Sequence, residues 1–240
     1  MASVVNSARA AADTLEFDLA ERPLRELNQY LHRELAASGV KKVQVLNPDG
    51  AHSIAVGVDA PVDIEIHGHA GYYCAGMNKQ ARVLVRGNVG PGVAEGMVSG
   101  TVHVKGFASV AAGAAAHGGL LVIEGDTSLR CGISMKGIDI VVGGSVGDFS
   151  GFMAQAGRIV VCGDAGDALG DSLYEAVIYI RGKVASFGAD AAEQPMTDAD
   201  YRAVAELLSK ARFKHDPKSF RKVASKRELY HWNADANQEY

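Results

Sequence analysis

Residues 144–157 read GSVGDFSGFMAQAG and residues 163–176 read GDAGDALGDSLYEA. Both open on glycine and carry glycine again three and seven places on. The spacing poses a choice between a phosphate-cradling loop and a chain corner. A phosphate loop needs a Lys-Ser/Thr pair and a following helix, or a G-x-G-x-x-G run between strand and helix, and neither is present. The corner reading gains from the offset between the stretches, which is 19 residues. Stepping by 19 from Gly144 meets Gly68, Gly87, Gly106, Gly125, Gly163 and Gly182 without a slip. Self-similarity at a fixed period is the mark of a solenoid.

The five residues before each of these glycines are DIEIH, RVLVR, TVHVK, LLVIE, DIVVG, RIVVC and VIYIR. The second and fourth of every set are aliphatic, mostly β-branched, which is the period-2 signature of a strand. Nineteen residues leave no room for a crossover helix. Each repeat is therefore one coil: a strand, a glycine corner and a second short run. The expected fold is an all-β solenoid, a right-handed parallel β-helix of about seven 19-residue coils over residues 61–190. Neighbouring coils would stack about 4.8 Å apart. The paired aliphatics point inward as a column, each contributing roughly 1.5–3 kcal/mol on burial. Three places past the corner stand Gly71, Gly90, Ser109, Ser128, Gly147 and Gly166; seven places past stand Ala75, Ala94, Gly113, Gly132, Gly151, Gly170 and Ala189. All are small, as positive φ or close backbone approach requires.

The flanks leave this register. Residues 1–14 are expected to be disordered, and 15–60 to hold a helix and a leading coil. In ERPLRELNQYLHRELAASG (21–39), Pro23 suits a first turn, Leu24, Leu27, Leu31 and Leu35 make one apolar stripe, and Gly39 ends it. VKKVQVLNPDG (40–50) and HSIAVGV (52–58) resemble an imperfect coil, which the helix would cap. Residues 191–240 are expected to hold a second helix and an extended tail. In TDADYRAVAELLSKA (197–211), Thr197 is the N-cap, Asp200 stands in the first turn, and Tyr201, Val204 and Leu208 share a face. The tail FRKVASKRELYHWNADANQEY (220–240) holds the sole tryptophan, Trp232, and is a candidate for docking in cis or on a partner.

The outward strand positions divide by column. The residue before each corner is mostly polar: His67, Arg86, Lys105, Glu124, Gly143, Cys162, Arg181. The middle outward residue begins with Glu65, Leu84 and His103, then turns apolar at Val122, Val141, Val160 and Tyr179. A strip of that kind is seldom bare. It is a candidate interface, covered by the C-terminal helix or by a partner subunit.

No catalytic, cofactor-binding or metal-binding residues are expected. His67 and His69 straddle a corner, but no Cys-x2-Cys or His-x3-His spacing occurs. Cys74 and Cys131 share the slot six past the corner, three coils and about 14 Å apart, too far for a disulfide. Their slot companions Val93, Ala112, Ser150 and Leu169 read as packing. Asp164, Asp167 and Asp171 are acidic neighbours, yet adjoining coils lack the aspartates that a calcium-binding solenoid repeats, so solvated turns are expected. A net charge of −4 argues against an electrostatic nucleic-acid partner. No apolar run is long enough for a membrane span, and the N-terminus lacks a basic start followed by an apolar stretch. Three cysteines give no disulfide framework. The expected compartment is the cytoplasm.

The glycine solenoid resembles the GXGXG domain at the C-terminus of the glutamate synthase large subunit. The stretches GYYCAGMN (71–78), RCGISMKGIDIVV (130–142) and CGDAGDALGDSLYEA (162–176) are similar to the stand-alone form of that domain. That form is the small subunit of N-methylglutamate synthase, also called methylamine–glutamate N-methyltransferase, and the likeness covers roughly residues 15–230. The resemblance implies a hetero-oligomer converting L-glutamate and methylamine into N-methyl-L-glutamate and ammonia. It implies a class II amidotransferase-like subunit, an FMN-binding glutamate-synthase-like subunit that also holds an iron–sulfur cluster, and this chain as the β-helix bracing both. On that reading ammonia or an amine passes inside the complex, and this chain holds neither cofactor nor catalytic residue. The spacing departs in one respect: it is mainly G-x-x-G-x-x-x-G, with alanine in the last slot of the first two coils and the seventh. The alternative reading is the third subunit of formylmethanofuran dehydrogenase, or of the related formyltransferase/hydrolase, which shares the solenoid. A trimeric β-helix acyltransferase would show shorter hexapeptide periods.

Overall fold

The computed structural model describes residues 13–227. Residues 1–12 and Trp232 lie outside the described residues. Thr14, read as part of a disordered start, instead opens a strand. The chain begins with β1 (Thr14–Asp18), helices α1 (Leu24–Arg33) and α2 (Leu35–Ser38), and β2 (Lys42–Leu46). One strand per coil follows: β3 (Asp63–Ile66), β4 (Arg82–Val85), β5 (Thr101–Val104), β6 (Leu120–Ile123), β7 (Lys136–Val142), β8 (Ala156–Val161) and β9 (Val177–Ile180). The chain closes with β10 (Ala191–Gln194), α3 (Asp198–Ala211) and β11 (Arg221–Ser225). All eleven strands form one sheet, ordered β1 to β9, then β11, then β10. β1 through β9 pair in parallel, each with the next, so the molecule is the expected β-solenoid of about seven coils. Among the described residues no helix is long and apolar enough to cross a membrane.

The register matches the aliphatic pairs. Ile64, Val83, Val102, Leu121, Ile140, Ile159 and Ile178 stack in one inward column, and none is more than 2% exposed. Opposite this strand wall, each coil is closed by a turn wall, and here the expected second run is not a strand. It makes only isolated bridges, as in Ala70–Val89–Ala108–Thr127. Beyond them the backbone alternates into the left-handed region five, seven and nine places past the corner, as at Phe149 (φ 55°), Gly151 (73°) and Met153 (52°). Left-handed backbone costs a non-glycine residue roughly 1–2 kcal/mol. Hydrogen bonds to both neighbouring coils offset it: Phe149 N–H donates forward to Asp167 O (2.8 Å), Gly151 back to Cys131 O (2.7 Å), and Met153 forward to Asp171 O (2.9 Å).

The seven register glycines answer a different need. Only Gly68 among them has positive φ (147°). A Cβ on Gly144 would lie 2.1 Å from Asp126 Oδ1, and on Gly182 2.2 Å from Asp164 Oδ1. Each carboxylate crosses the glycine to accept the next amide: Ser145 N–H to Asp126 and Lys183 N–H to Asp164, both 2.7 Å. Glycine therefore opens the gap through which one coil's side chain bonds the next.

The ends are closed differently. At the start, β1, α1 and β2 form a parallel crossover, with Leu27 and Leu31 buried. Interior coils satisfy the amide seven past the corner from the preceding coil, as Ala75 N–H donates to Ile54 O. The leading coil has no predecessor there, and Asn28 of α1 replaces it: Oδ1 accepts Ala55 N–H (3.1 Å) and Nδ2 donates to Ser53 O (2.9 Å). At the far end part of the tail read as an extended arm is β11, which pairs antiparallel with both β9 and β10. The last coil is also one residue short, so Leu169 bridges Phe187 and the left-handed residue is Asp190 (φ 66°) rather than Ala189.

Candidate interaction surface

The strip Val122, Val141, Val160 and Tyr179 is covered from within the chain. It packs against Val204, Leu207, Leu208 and Ala211 of α3 and Phe220, and each of the four is at most 3% exposed. Of the two coverings left open by the sequence, the helix is the one found. Helix α3 starts where expected, with a capping box between Thr197 and Asp200. Asp200 is also the pin that holds the helix to the sheet. Tyr179 Oη donates to its Oδ1 (2.8 Å), and Lys222 Nζ lies 3.3 Å from Oδ2. Burial pushes the Asp200 carboxyl up, but the Thr197 hydroxyl and amide, Tyr179 and Lys222 outweigh it and hold the group at about 2.

The cysteines, His69, His103 and the turn aspartates singled out from the sequence are occupied structurally, while the buried Nε2 of His67 has no hydrogen-bond partner among the described residues. Cys74 and Cys131 point into the core, and burial pushes both thiols up to about 12; Cys162 faces α3 and is pushed up to about 11. Thiols in such sites are poor nucleophiles at neutral pH. Three buried thiols in separate places do not fit an iron–sulfur cluster, and among the described residues no group of three His, Cys, Asp or Glu side chains could hold a metal. His69 Nδ1 accepts Asn88 N–H (2.9 Å), while His103 Nε2 lies 2.9 Å from Glu124 Oε1. Burial is the first cause that lowers the His103 pKa, partly opposed by Glu124. The three aspartates are inter-coil acceptors rather than free turn acids: besides Asp164, Asp167 Oδ1 accepts the Ser186 hydroxyl (2.8 Å), and Asp171 Oδ2 accepts Ala189 N–H (3.4 Å).

The uncovered part of the strand face is charged and internally neutralised. Glu65 lies between Lys42 and Arg86, Asp63 pairs with Arg82, and Glu124 with Lys105. Such exposed pairs add little stability but leave little charge unanswered. The apolar exposure lies elsewhere. Tyr72, Tyr73, Met77, Leu129, Phe149 and Met153 are each 42–56% exposed, and none lies in a strand. They stand on the turn wall, four, five or nine places past a corner. Reading those columns as the strand columns were read would have found them: Tyr73 and Phe149 share one slot, Met77 and Met153 another. Exposed apolar side chains gathered on one wall are the usual mark of an interaction surface.

No family model matches the chain, so the likeness to the glutamate synthase domain rests on the residues quoted above. The chain is similar to Protein GlxC of Rhizobium meliloti (strain 1021), at 54% identity over 219 residues, which is 91% of this chain and 96% of that protein. An alignment that runs nearly the whole length of both proteins includes the caps as well as the repeats. The chain belongs to the family of Protein GlxC.

Proposed function

We propose that the chain is a non-catalytic structural subunit of a glutamate-synthase-like complex, and more narrowly of N-methylglutamate synthase. In that reading it braces a class II amidotransferase-like subunit and an FMN-binding subunit while the complex turns L-glutamate and methylamine into N-methyl-L-glutamate and ammonia. FMN and the iron–sulfur cluster belong to the partner. The observation that carries the reading is how the chain spends its reactive groups. Thiols are buried in packing slots, turn aspartates bond neighbouring coils, and what is left exposed is an apolar turn wall. The resemblance to the GXGXG domain supplies the kind of complex, and the match to Protein GlxC covers 96% of that protein.

The test is purification of the chain from its native source, with co-purifying subunits identified by mass, alongside the chain expressed alone. The expected result is an amidotransferase-like and an FMN-containing subunit in the complex, methylamine-dependent N-methylglutamate formation by the complex, and a folded isolated chain with no flavin absorbance and no turnover. Turnover by the isolated chain contradicts the reading. An amidohydrolase-like co-purifying subunit would place the chain in the formyltransferase/hydrolase class instead.

A further inference from the structure

We infer that the turn wall of the coils cornered at Gly125, Gly144 and Gly163 docks a partner subunit whose contact surface is apolar and flanked by lysines or arginines. The inference rests on the structural-subunit reading and adds where the partner binds and what chemistry it presents. Leu129, Phe149 and Met153 are 44%, 42% and 50% exposed in adjoining coils of this wall. The Phe149 ring meets Phe152 edge to face at 6.1 Å, and the backbone beneath is hydrogen-bonded to the coils on both sides. A surface held in place before binding loses little conformational freedom when it docks.

The charge around this patch selects the occupant. Asp126, Asp148, Asp164, Asp167 and Asp171 stand on the same three coils, set against Arg130 and, in the next coil, Lys183. Their structural bonds go to backbone amides and hydroxyls, and among the described residues none of the five is in a salt bridge. The strand face, by contrast, pairs Asp63, Glu65 and Glu124 with lysine or arginine. An unanswered acidic margin around an apolar centre is complementary to a basic-rimmed apolar surface, and complementarity of that kind steers association.

Two occupants from the chain itself fit less well. The segment 228–240 leaves at Arg227, which pairs with Asp190 on the last coil, and its 13 residues could span about 43 Å. It carries Glu228, Asp235 and Glu239 with no lysine or arginine, so it repels this margin. A second copy joined by two-fold symmetry would set the same aspartates against one another.

The test uses substitutions that leave the fold intact. Phe149 and Met153 have positive φ, a conformation asparagine tolerates, so Phe149→Asn with Met153→Asn removes the apolar centre without straining the turn. Asp126→Asn, Asp148→Asn and Asp167→Asn keep an acceptor oxygen for the neighbouring coil and remove the charge. Each variant is co-expressed with the amidotransferase-like and FMN-binding subunits of the same genome, and affinity is measured at two salt concentrations, with thermal melting as the folding control. The Phe149/Met153 variant is expected to melt like the parent and bind at least tenfold more weakly. The aspartate variant is expected to lose most of the salt dependence. Carbodiimide coupling in the parent complex is expected to join Asp148 or Asp167 to a partner lysine. Unchanged affinity of the Phe149/Met153 variant in an intact complex overturns the inference and leaves the structural-subunit reading standing. So does parental self-association that this variant abolishes, or increased oxidation of Met153 on removing residues 228–240. If the parent chain binds neither subunit, both readings fail.

Discussion

The two walls of each coil follow different rules. In the strand wall the same design recurs seven times: paired inward aliphatics, extended backbone, and bonds that run the length of the parallel ladder. The turn wall takes up backbone conformations that its own residues disfavour. Phe149, Met153 and Arg130 are left-handed although none is glycine, and Asp126 and Asp164 reach across glycines to bond the next coil. The strand wall supplies unbroken aliphatic columns to the core, to which the turn wall adds Val93, Met97, Cys131 and Leu169. The turn wall sets the length of each coil, and it is where the large apolar side chains remain exposed. A residue's importance to the stack and its importance to binding should therefore separate by wall.

The sharpest way to break this comparison is to charge the dry face of the strand wall. Val141→Asp places a carboxylate between Val122, Val160 and the underside of α3 with no cation in the cluster. An unpaired buried charge is expected to cost about 3–5 kcal/mol, seen as insolubility or as a large fall in the urea midpoint. Ile140→Ala should follow. Its Cδ1 fills the space over Gly113 and Gly132, so deletion leaves a cavity and costs about 2–5 kcal/mol.

The corner comes next. Gly144→Ala drives a methyl into Asp126 Oδ1 and frees the Ser145 amide, an expected loss of about 1–3 kcal/mol. In an Asp126→Gly background the same change should cost less, and additive effects would contradict the account of the glycine. Asp200 adds a pH signature of about 2 kcal/mol. Its folded pKa of about 2 lies below the ordinary carboxyl value. Its contribution is therefore complete above about pH 4 and is lost as pH falls toward 2. The stability difference between parent and Asp200→Asn, read by urea denaturation, should shrink over that interval and be flat above it. The smallest expected effect is the stability change of Phe149→Asn, within about 0.5 kcal/mol, because the ring is half exposed and asparagine accepts the backbone angle.

The same division explains what the sequence disclosed. Strands repeat by side-chain identity, so the alternation at Ile64/Ile66 through Ile178/Ile180 was readable, as was the capping pair Thr197 and Asp200 that starts α3. The turn wall was only half readable. Glycine at 132 and 151 announces positive φ, but Tyr73, Ala75 and Met77 do not, because their conformation is held by amides of other coils that local propensity does not encode. β1 was missed because TLEFD gains its partner only after a helix carries the chain back to β2. β11 was missed because RKVAS alternates weakly and owes its pairing to the open edge of β9. The exposed turn-wall side chains carry no alternating signature, and the apolar alternation that does stand out on the outer strand face is the strip that α3 covers.

Amide hydrogen exchange on the chain alone and in its assembled complex tests the division most directly. Amides of both walls are bonded between coils, so protection gained on assembly reports newly covered surface, and it should come mainly in the turn wall, at residues 129–130, 148–153 and 167–171. The strand-face segments 63–67, 82–86 and 101–105 should change little. Protection gained across those strand-face segments, with the turn wall unchanged, would contradict the account.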